Sequence, residues 1–526
     1  MSENLRITRA LSVVGLSTMA SRVLGLVREM VIAFYFGASM AADSFFVAFQ
    51  IPNTFRRLMA EGSLTISFIP VFSETMVKKG RKEALKLANA AFTFLTLLLI
   101  ILTIMGIVFA SPLIKVLVPG FKEIPGKIEL TVLLTRIMFP YIFFISLVAF
   151  CMGILNSLRH FAAPALAPVL LNLSMIFSVV ILYPYLELPI LALAIGVILG
   201  GFLQLGLQIP FLEKKGIHLI SNFNFRNPGL RKIGKLIGPA IFGSAIYQIN
   251  IYIIRFLASF LPQGSVSYLF YASRLMEFPL GVFVFALSSA ILPSLSSLAA
   301  KNEQAKLKET FIFSFRLATF IIIPAMTGLI ILRTPIIHIL FERGSFSPET
   351  TIQTAKALLY YALGLWAIAG VRVTVPVFYA LHDSKTPVMV GIISIGANIL
   401  FSLMLLGPLL HGGLALAITL SAIVNFIFLI ILLRRKIGPL GMKSAFDSLS
   451  KIILSSLGMG IFCYSVCFRI DWFTPGYFLI KTLHLGGAIG GGVLVYLGLT
   501  YLFRCQELMD LKEVFKQKKS GPIGND

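Results

Sequence analysis

The chain has 526 residues, of which 57% are hydrophobic and only 13% charged, and its mean hydropathy is +0.92. A water-soluble protein of this composition could not cover its surface with polar groups, and long continuous apolar runs exclude a membrane barrel, whose strands alternate over about ten residues. The net charge of +23 reads, in such a chain, as basic loops and attraction to anionic lipid, not as nucleic-acid binding.

A helical span needs about 20 mostly apolar residues, and backbone groups in hydrocarbon must be satisfied internally. In chain order such segments fall at approximately 10–36, 43–75, 88–117, 130–157, 161–184, 187–211, 232–261, 265–298, 309–332, 352–381, 386–410, 412–433, 447–468 and 477–503. The expected fold class is an all-α polytopic membrane protein of about fourteen transmembrane helices. The first segment runs on through Arg22 and Arg28 without a small-residue cleavage site, so it reads as a span and not as a cleavable signal. Alternate connections are basic: 78–82 (KKGRK), 214–235, 301–308, 434–436 and the tail with Lys516, Lys518 and Lys519. The positive-inside rule places these connections and both termini in the cytoplasm. The one long outward connection, 333–351, holds an apolar piece at 335–341 that reads as an interfacial helix.

An internal repeat appears at an offset of 223 residues. The pentapeptide LALAI at 191–195 recurs at 414–418; Gly15 matches Gly238, Ser21 matches Ser244, Pro70 matches Pro293, Lys78 matches Lys301, and Pro164 matches Pro387. Six spans per repeat make the halves parallel, a plan shared with alternating-access transporters. The expected domains are an N-terminal six-helix lobe (1–222), a C-terminal six-helix lobe (223–440), two extra helices (441–505) and a cytoplasmic tail (506–526).

Ionisable residues inside spans are costly and point to function. They concentrate in three places. Span 1 carries Arg22, Arg28 and Glu29; Arg22 and Glu29 are seven apart and share a face. Span 2 carries Asp43 at its outer end, then Arg56, Arg57 and Glu61, interrupted by Pro52 and Gly62. Span 8 carries Arg274 and Glu277, followed by Pro279 and Gly281. Each place has a structural alternative: an internal Arg–Glu pair, a helix end at the cytoplasmic interface, and a self-neutralising pair. Guanidinium offers phosphate a planar, permanently charged fork, so several arginines in one aqueous cavity imply a small, multiply charged anion such as pyrophosphate. Glu29, Asp43, Glu61 and Glu277 would moderate repulsion in the empty cavity. The four cysteines lie in or beside apolar spans without metal-ligand spacing, and the histidines are scattered singly. The glycine-rich GGAIGGG at 486–492 lacks the lysine of a phosphate-binding loop and reads as close helix packing.

The blocks SRVLGLVRE (21–29), AADSFFVAFQIPNTFRRLMAEGSL (41–64) and YASRLMEFP (271–279) resemble the MurJ (MviN) family of bacterial lipid II flippases, within the larger group that includes MATE exporters. The resemblance runs over essentially the whole chain. It implies a MATE-like fold of two six-helix lobes with two extra C-terminal helices forming a groove for a polyprenyl tail. It maps the family's pyrophosphate-binding arginines onto Arg22, Arg28, Arg56 and Arg274 and its acidic position onto Asp43. Glu29 stands where the family usually has Asp, and Ser273 stands where some members have an acid before Arg274. The implied function is translocation of undecaprenyl-pyrophosphate-linked disaccharide-pentapeptide from the cytoplasmic to the periplasmic leaflet of the bacterial inner membrane. No cofactor is implied; the membrane potential or an ion gradient would drive the cycle, and membrane lipid and other cell-wall synthesis proteins are the expected neighbours. Two rivals stay open: a drug or cation antiporter of the same fold, which calls for an acidic or apolar cavity, and a membrane glycosyltransferase, for which Glu342 and Glu349 are the available outward carboxylates.

Overall fold

The computed structural model describes residues 3–59, 64–441, 443–474 and 476–510, with side chains described from residue 15 onward except for 64–66, 239–247 and 443–445. Every long element is a helix. The first repeat contains α1 (Glu3–Phe36), α2 (Met40–Arg56), α3 (Leu64–Lys79), α4 (Arg81–Val108), α5 (Ala110–Leu117), α6 (Lys127–Met138), α7 (Tyr141–Ser157), α8 (Ala162–Leu182) and α9 (Leu191–Lys214). The second contains α10 (Pro228–Ala258), α11 (Ser265–Pro279), α12 (Phe285–Ala300), α13 (Gln304–Ile331), α14 (Arg333–Phe341), α15 (Pro348–Ala362), α16 (Leu365–Ala380), α17 (Lys385–Leu409) and α18 (His411–Ile437). Two helices follow, α19 (Lys443–Cys467) and α20 (Phe478–Leu502).

The offset seen in the sequence also relates the helix bounds. Moving α4 along by 223 residues lands on both ends of α13; the starts of α5 and α8 land on those of α14 and α17, and the end of α9 lands on that of α18. Local chemistry sets several of these ends. Ser39 caps α2, its Oγ accepting from the Ala42 N–H. Asn227 and Ser347 cap α10 and α15, each followed by proline at the first helical position, where a missing N–H costs nothing. Gly80 and Gly438 take positive φ, at 81° and 80°, at the α3–α4 and α18–α19 breaks. Asp383, two residues before α17, accepts from the Thr386 N–H and pairs with Lys436; the ammonium and that N–H hold its carboxyl down at about 2.

Among the described residues, ten helices or helix pairs are long and apolar enough to cross a membrane, and the pair α15–α16, bent by 43°, makes an eleventh. The remaining spans expected from the sequence correspond to α1, to α2 with α3, and to α10. These are helical too, but α1 and α2 carry the arginines and acids that lower their hydropathy.

Packing divides the chain into two compact units, Met1–Ser267 and Tyr268–Asp526, so α10 packs with the helices of the first repeat. In the first unit α8 and α9 lie in close contact because Gly196 and Gly200 present no side chain: a Cβ on Gly196 would sit 2.8 Å from the Met175 Cα. In the second unit one core gathers Phe311, Phe315, Val373, Phe378, Phe426 and Leu429 from α13, α16 and α18. Another gathers Phe320, Ile323, Met459, Cys463 and Tyr496, which fasten α19 and α20 to α13.

Candidate functional site

In the first unit α1 packs along α8, and Arg28 reaches across that contact. Its Nη1 donates to Asn172 Oδ1 at 3.0 Å, and its Nη2 pairs with the neighbouring Glu29. Asn172 is tied back to α1 by donating from Nδ2 to the Ser21 carbonyl at 3.0 Å. Gly25, one turn before Arg28, faces the same amide: a Cβ there would make an ordinary contact with Asn172 Nδ2 at 3.8 Å. The Arg28 side chain is 13% exposed and that of Glu29 3%. Burying such charges is tolerable only when they are paired and hydrogen-bonded; both Nη atoms of Arg28 meet this, while its Nε is buried without a hydrogen-bond partner. Spacing along α1 matched Glu29 with Arg22; the structure adds Arg28 as a direct partner, because the long arginine stem lets its guanidinium reach the next residue. Arg22 itself is exposed.

Helix α2 continues the polar surface. Gln50 donates to Thr54, whose hydroxyl also meets Tyr252 Oη at 3.0 Å and Gln248 Oε1 at 3.5 Å on α10. Arg56 is half-buried, and its Nε donates to Asn53 Oδ1 at 3.1 Å. Glu61 lies outside the described residues.

Asp43 belongs to a different cluster at the start of α2. It is 1% exposed and accepts from Lys127 Nζ at 2.8 Å, from the Gly264 N–H at 2.8 Å, and from the N–H and hydroxyl of Ser267 at 2.9 and 2.6 Å. Lys127 also lies 4.1 Å over the Phe121 ring. In the second unit Arg274 is half-buried, pairs with Glu277 at 3.0 Å and stacks on Phe270 at 4.8 Å. A π-helical turn, Leu280–Val284, follows directly.

Sequence reasoning missed Asn172 and Lys127. Asn172 gives no signal in an apolar run. Lys127 gives none either: Glu123 and Glu129 lie beside it in the chain, and nothing there singles out Asp43, 84 residues away. Among the described residues no group of three or more His, Cys, Asp and Glu side chains could hold a metal ion.

Residues 32–483 match the family model described as lipid II flippase MurJ. The chain is 36% identical over 515 residues to the probable lipid II flippase MurJ of Vibrio cholerae, covering 96% of this chain and 98% of that one. It is 37% identical over 432 residues to the lipid II flippase MurJ of Burkholderia cenocepacia, covering 81% and 84%. Among solved structures it resembles a lipid II flippase MurJ in an inward closed conformation, with a TM-score of 0.76, 28% identity, and coverage of 93% and 98%. An inward-facing multidrug-resistance MATE transporter matches with a TM-score of 0.68 at 17% identity over 81% of this chain, a likeness of fold alone. With matches of this extent over nearly the whole chain, the protein belongs to the MurJ family.

Proposed function

We propose that this multi-pass membrane protein is a flippase that carries lipid II from the cytoplasmic to the periplasmic leaflet of the bacterial inner membrane by alternating access. It is a transporter, and no covalent bond is made or broken. The observation that carries the reading is Arg28, a permanent cation held inside the first unit by Asn172 and Glu29. Arg22, Arg28, Arg56 and Arg274 engage the pyrophosphate, and Glu29 and Glu277 occupy Arg28 and Arg274 while substrate is away. Glu61 adds to the acidic balance, whereas Asp43 is already matched by Lys127. The polyprenyl tail stays in lipid beside α19 and α20. Both termini lie in the cytoplasm, as the basic connections favour. The membrane potential or an ion gradient drives the return, and cell-wall synthesis enzymes receive the product.

The test is replacement of the only cellular copy, with lipid II in the outer leaflet as the readout. Arg28→Ala and Arg274→Ala are expected to cut outward lipid II by about 10- to 100-fold, the worth of a charge-assisted hydrogen bond, at unchanged protein level. Arg28→Lys is expected to recover part of it, since a point charge lacks the fork. Normal outward lipid II in Arg28→Ala removes the pyrophosphate assignment. Unchanged outward lipid II on depletion of the protein removes the flippase reading itself.

A further inference from the structure

The segment 333–351 takes no part in the transport proposed above, yet it anchors a chain of three ionisable side chains within the second unit. His338 sits on α14. Its Nε2 lies 3.3 Å from Lys481 Nζ on α20, and its Nδ1 lies 3.0 Å from Glu342 Oε1 just past the end of α14. Glu342 Oε2 accepts from Thr351 Oγ1 on α15 at 2.6 Å. Lys481 is 2% exposed, and its Nζ donates to the carbonyls of Trp472 and Thr474 at 2.8 and 2.6 Å.

Donor counting assigns the protons. An ammonium has three N–H bonds and no lone pair. Two N–H bonds of Lys481 are taken by carbonyls, and the remaining one faces His338. Nε2 is therefore the acceptor, and the imidazole is neutral with its proton on Nδ1, which is buried 3.0 Å from Glu342 Oε1 but out of line for a hydrogen bond to it. The other charged groups near this chain are spoken for. Arg343 donates to the Ile339 carbonyl and stacks on Phe478; Asp471 accepts from the Phe473 N–H and the Thr474 hydroxyl. On α15, Glu349 accepts from Gln353 at its exposed first turn, and Lys356 lies further along. Helix α13 carries no charge beyond Arg316 up to its end at Ile331.

We propose that His338 is a proton-binding site whose occupancy releases the start of α20 from α14. A proton on Nε2 would set an N–H against an ammonium, placing two donors and two like charges in contact inside the protein. Lys481 keeps its carbonyls and its charge at lower cost than it keeps that contact, so the contact opens. Glu342, beside Nδ1, offsets the imidazolium charge and makes uptake accessible. Imidazole is the side chain whose ordinary titration falls nearest neutrality. On the orientation proposed above, the site reads the acidity outside the cytoplasm.

Trp472 is a built-in reporter. Its ring centroid lies 6.0 Å from that of His338 in an edge-on arrangement, and the chain has only two tryptophans. Trp366→Phe in the full-length protein leaves Trp472 as the sole emitter. Its emission is expected to fall and shift to the red as pH is lowered from about 8 to about 5, because imidazolium quenches indole and the opened contact admits water. His338→Gln keeps an acceptor without the titration and is expected to flatten the profile. Lys481→Met is expected to move the midpoint to higher pH and Glu342→Gln to lower pH. A flat profile in Trp366→Phe, a titration that survives His338→Gln, or midpoints that neither variant moves overturns the site. Quenching without the red shift overturns the release.

Discussion

Asp43 carries its charge to a position that is 1% exposed, and donors from two distant stretches of chain hold it there. Removing one partner of a buried pair leaves the other stranded, so Asp43→Asn is expected to destabilise the protein by about 3–5 kcal/mol. Asp43→Leu combined with Lys127→Met, which removes both charges, is expected to recover much of that; thermal unfolding of the purified variants measures both. This residue also marks what a sequence can and cannot disclose. Asp43, Arg28 and Arg274 stand out because a charge in an apolar run is expensive wherever it lies. Their partners do not. Asn172 is 144 residues from Arg28, and Ser267 is 224 from Asp43. Only the packing of α1 on α8, and of the α10–α11 connection on α2, makes them neighbours.

Among elements, the short helices α5 and α14 had unequal visibility. The apolar piece 335–341 stood apart in a long connection and became α14, whereas 88–117 read as one span and is broken at Phe109 into α4 and α5. Hydropathy does not change across that break. A signal was present: Pro112 and Pro335 are 223 residues apart, each in the first turn of its short helix, where proline is tolerated and the preceding helix cannot continue. The connection after α5 is also pinned. The Gly120 N–H donates to Ser259 Oγ at 3.1 Å, and a Cβ on Gly120 would lie 2.4 Å from the Ser259 carbonyl oxygen. Backbone cannot yield as a side-chain tip can, so Gly120→Ala is expected to cost about 1–3 kcal/mol. A melting temperature equal to that of the parent protein would show that the two backbones are not held together.

At the scale of the whole chain, the helices related by the 223-residue offset differ in what covers them. Counterparts at the 223-residue offset on α4 and α13 show this directly. Leu97 is 41% exposed while Phe320 is 5%, and Ile100 is 42% exposed while Ile323 is 7%. The difference is α19 and α20, which pack on α13 and whose Tyr496 hydroxyl donates to the Phe320 carbonyl. Their polar fastening is Glu507, beyond α20, which pairs with Arg316 of α13 and accepts from Ser448 of α19. A chain stopped after Gly441 bares Phe320 and Ile323 to lipid, not to water, so their exposure is not a hydrophobic loss. It strands Arg316. The truncated protein is expected to accumulate poorly in membranes, and the same truncation with Arg316→Met to accumulate at several times that level. Equal levels of the two would mean that apolar packing by the last two helices, not the ion pair, holds the unit together.

The bare flank of α4 carries a consequence for ancestry. Its exposed Leu97, Ile100, Ile101 and Ile104 show that a helix of this design needs only hydrocarbon beside it. An ancestor with two such flanks would already have been a finished membrane protein. By the same token, α19 and α20 displace lipid from a wall that has no need of rebuilding to receive them.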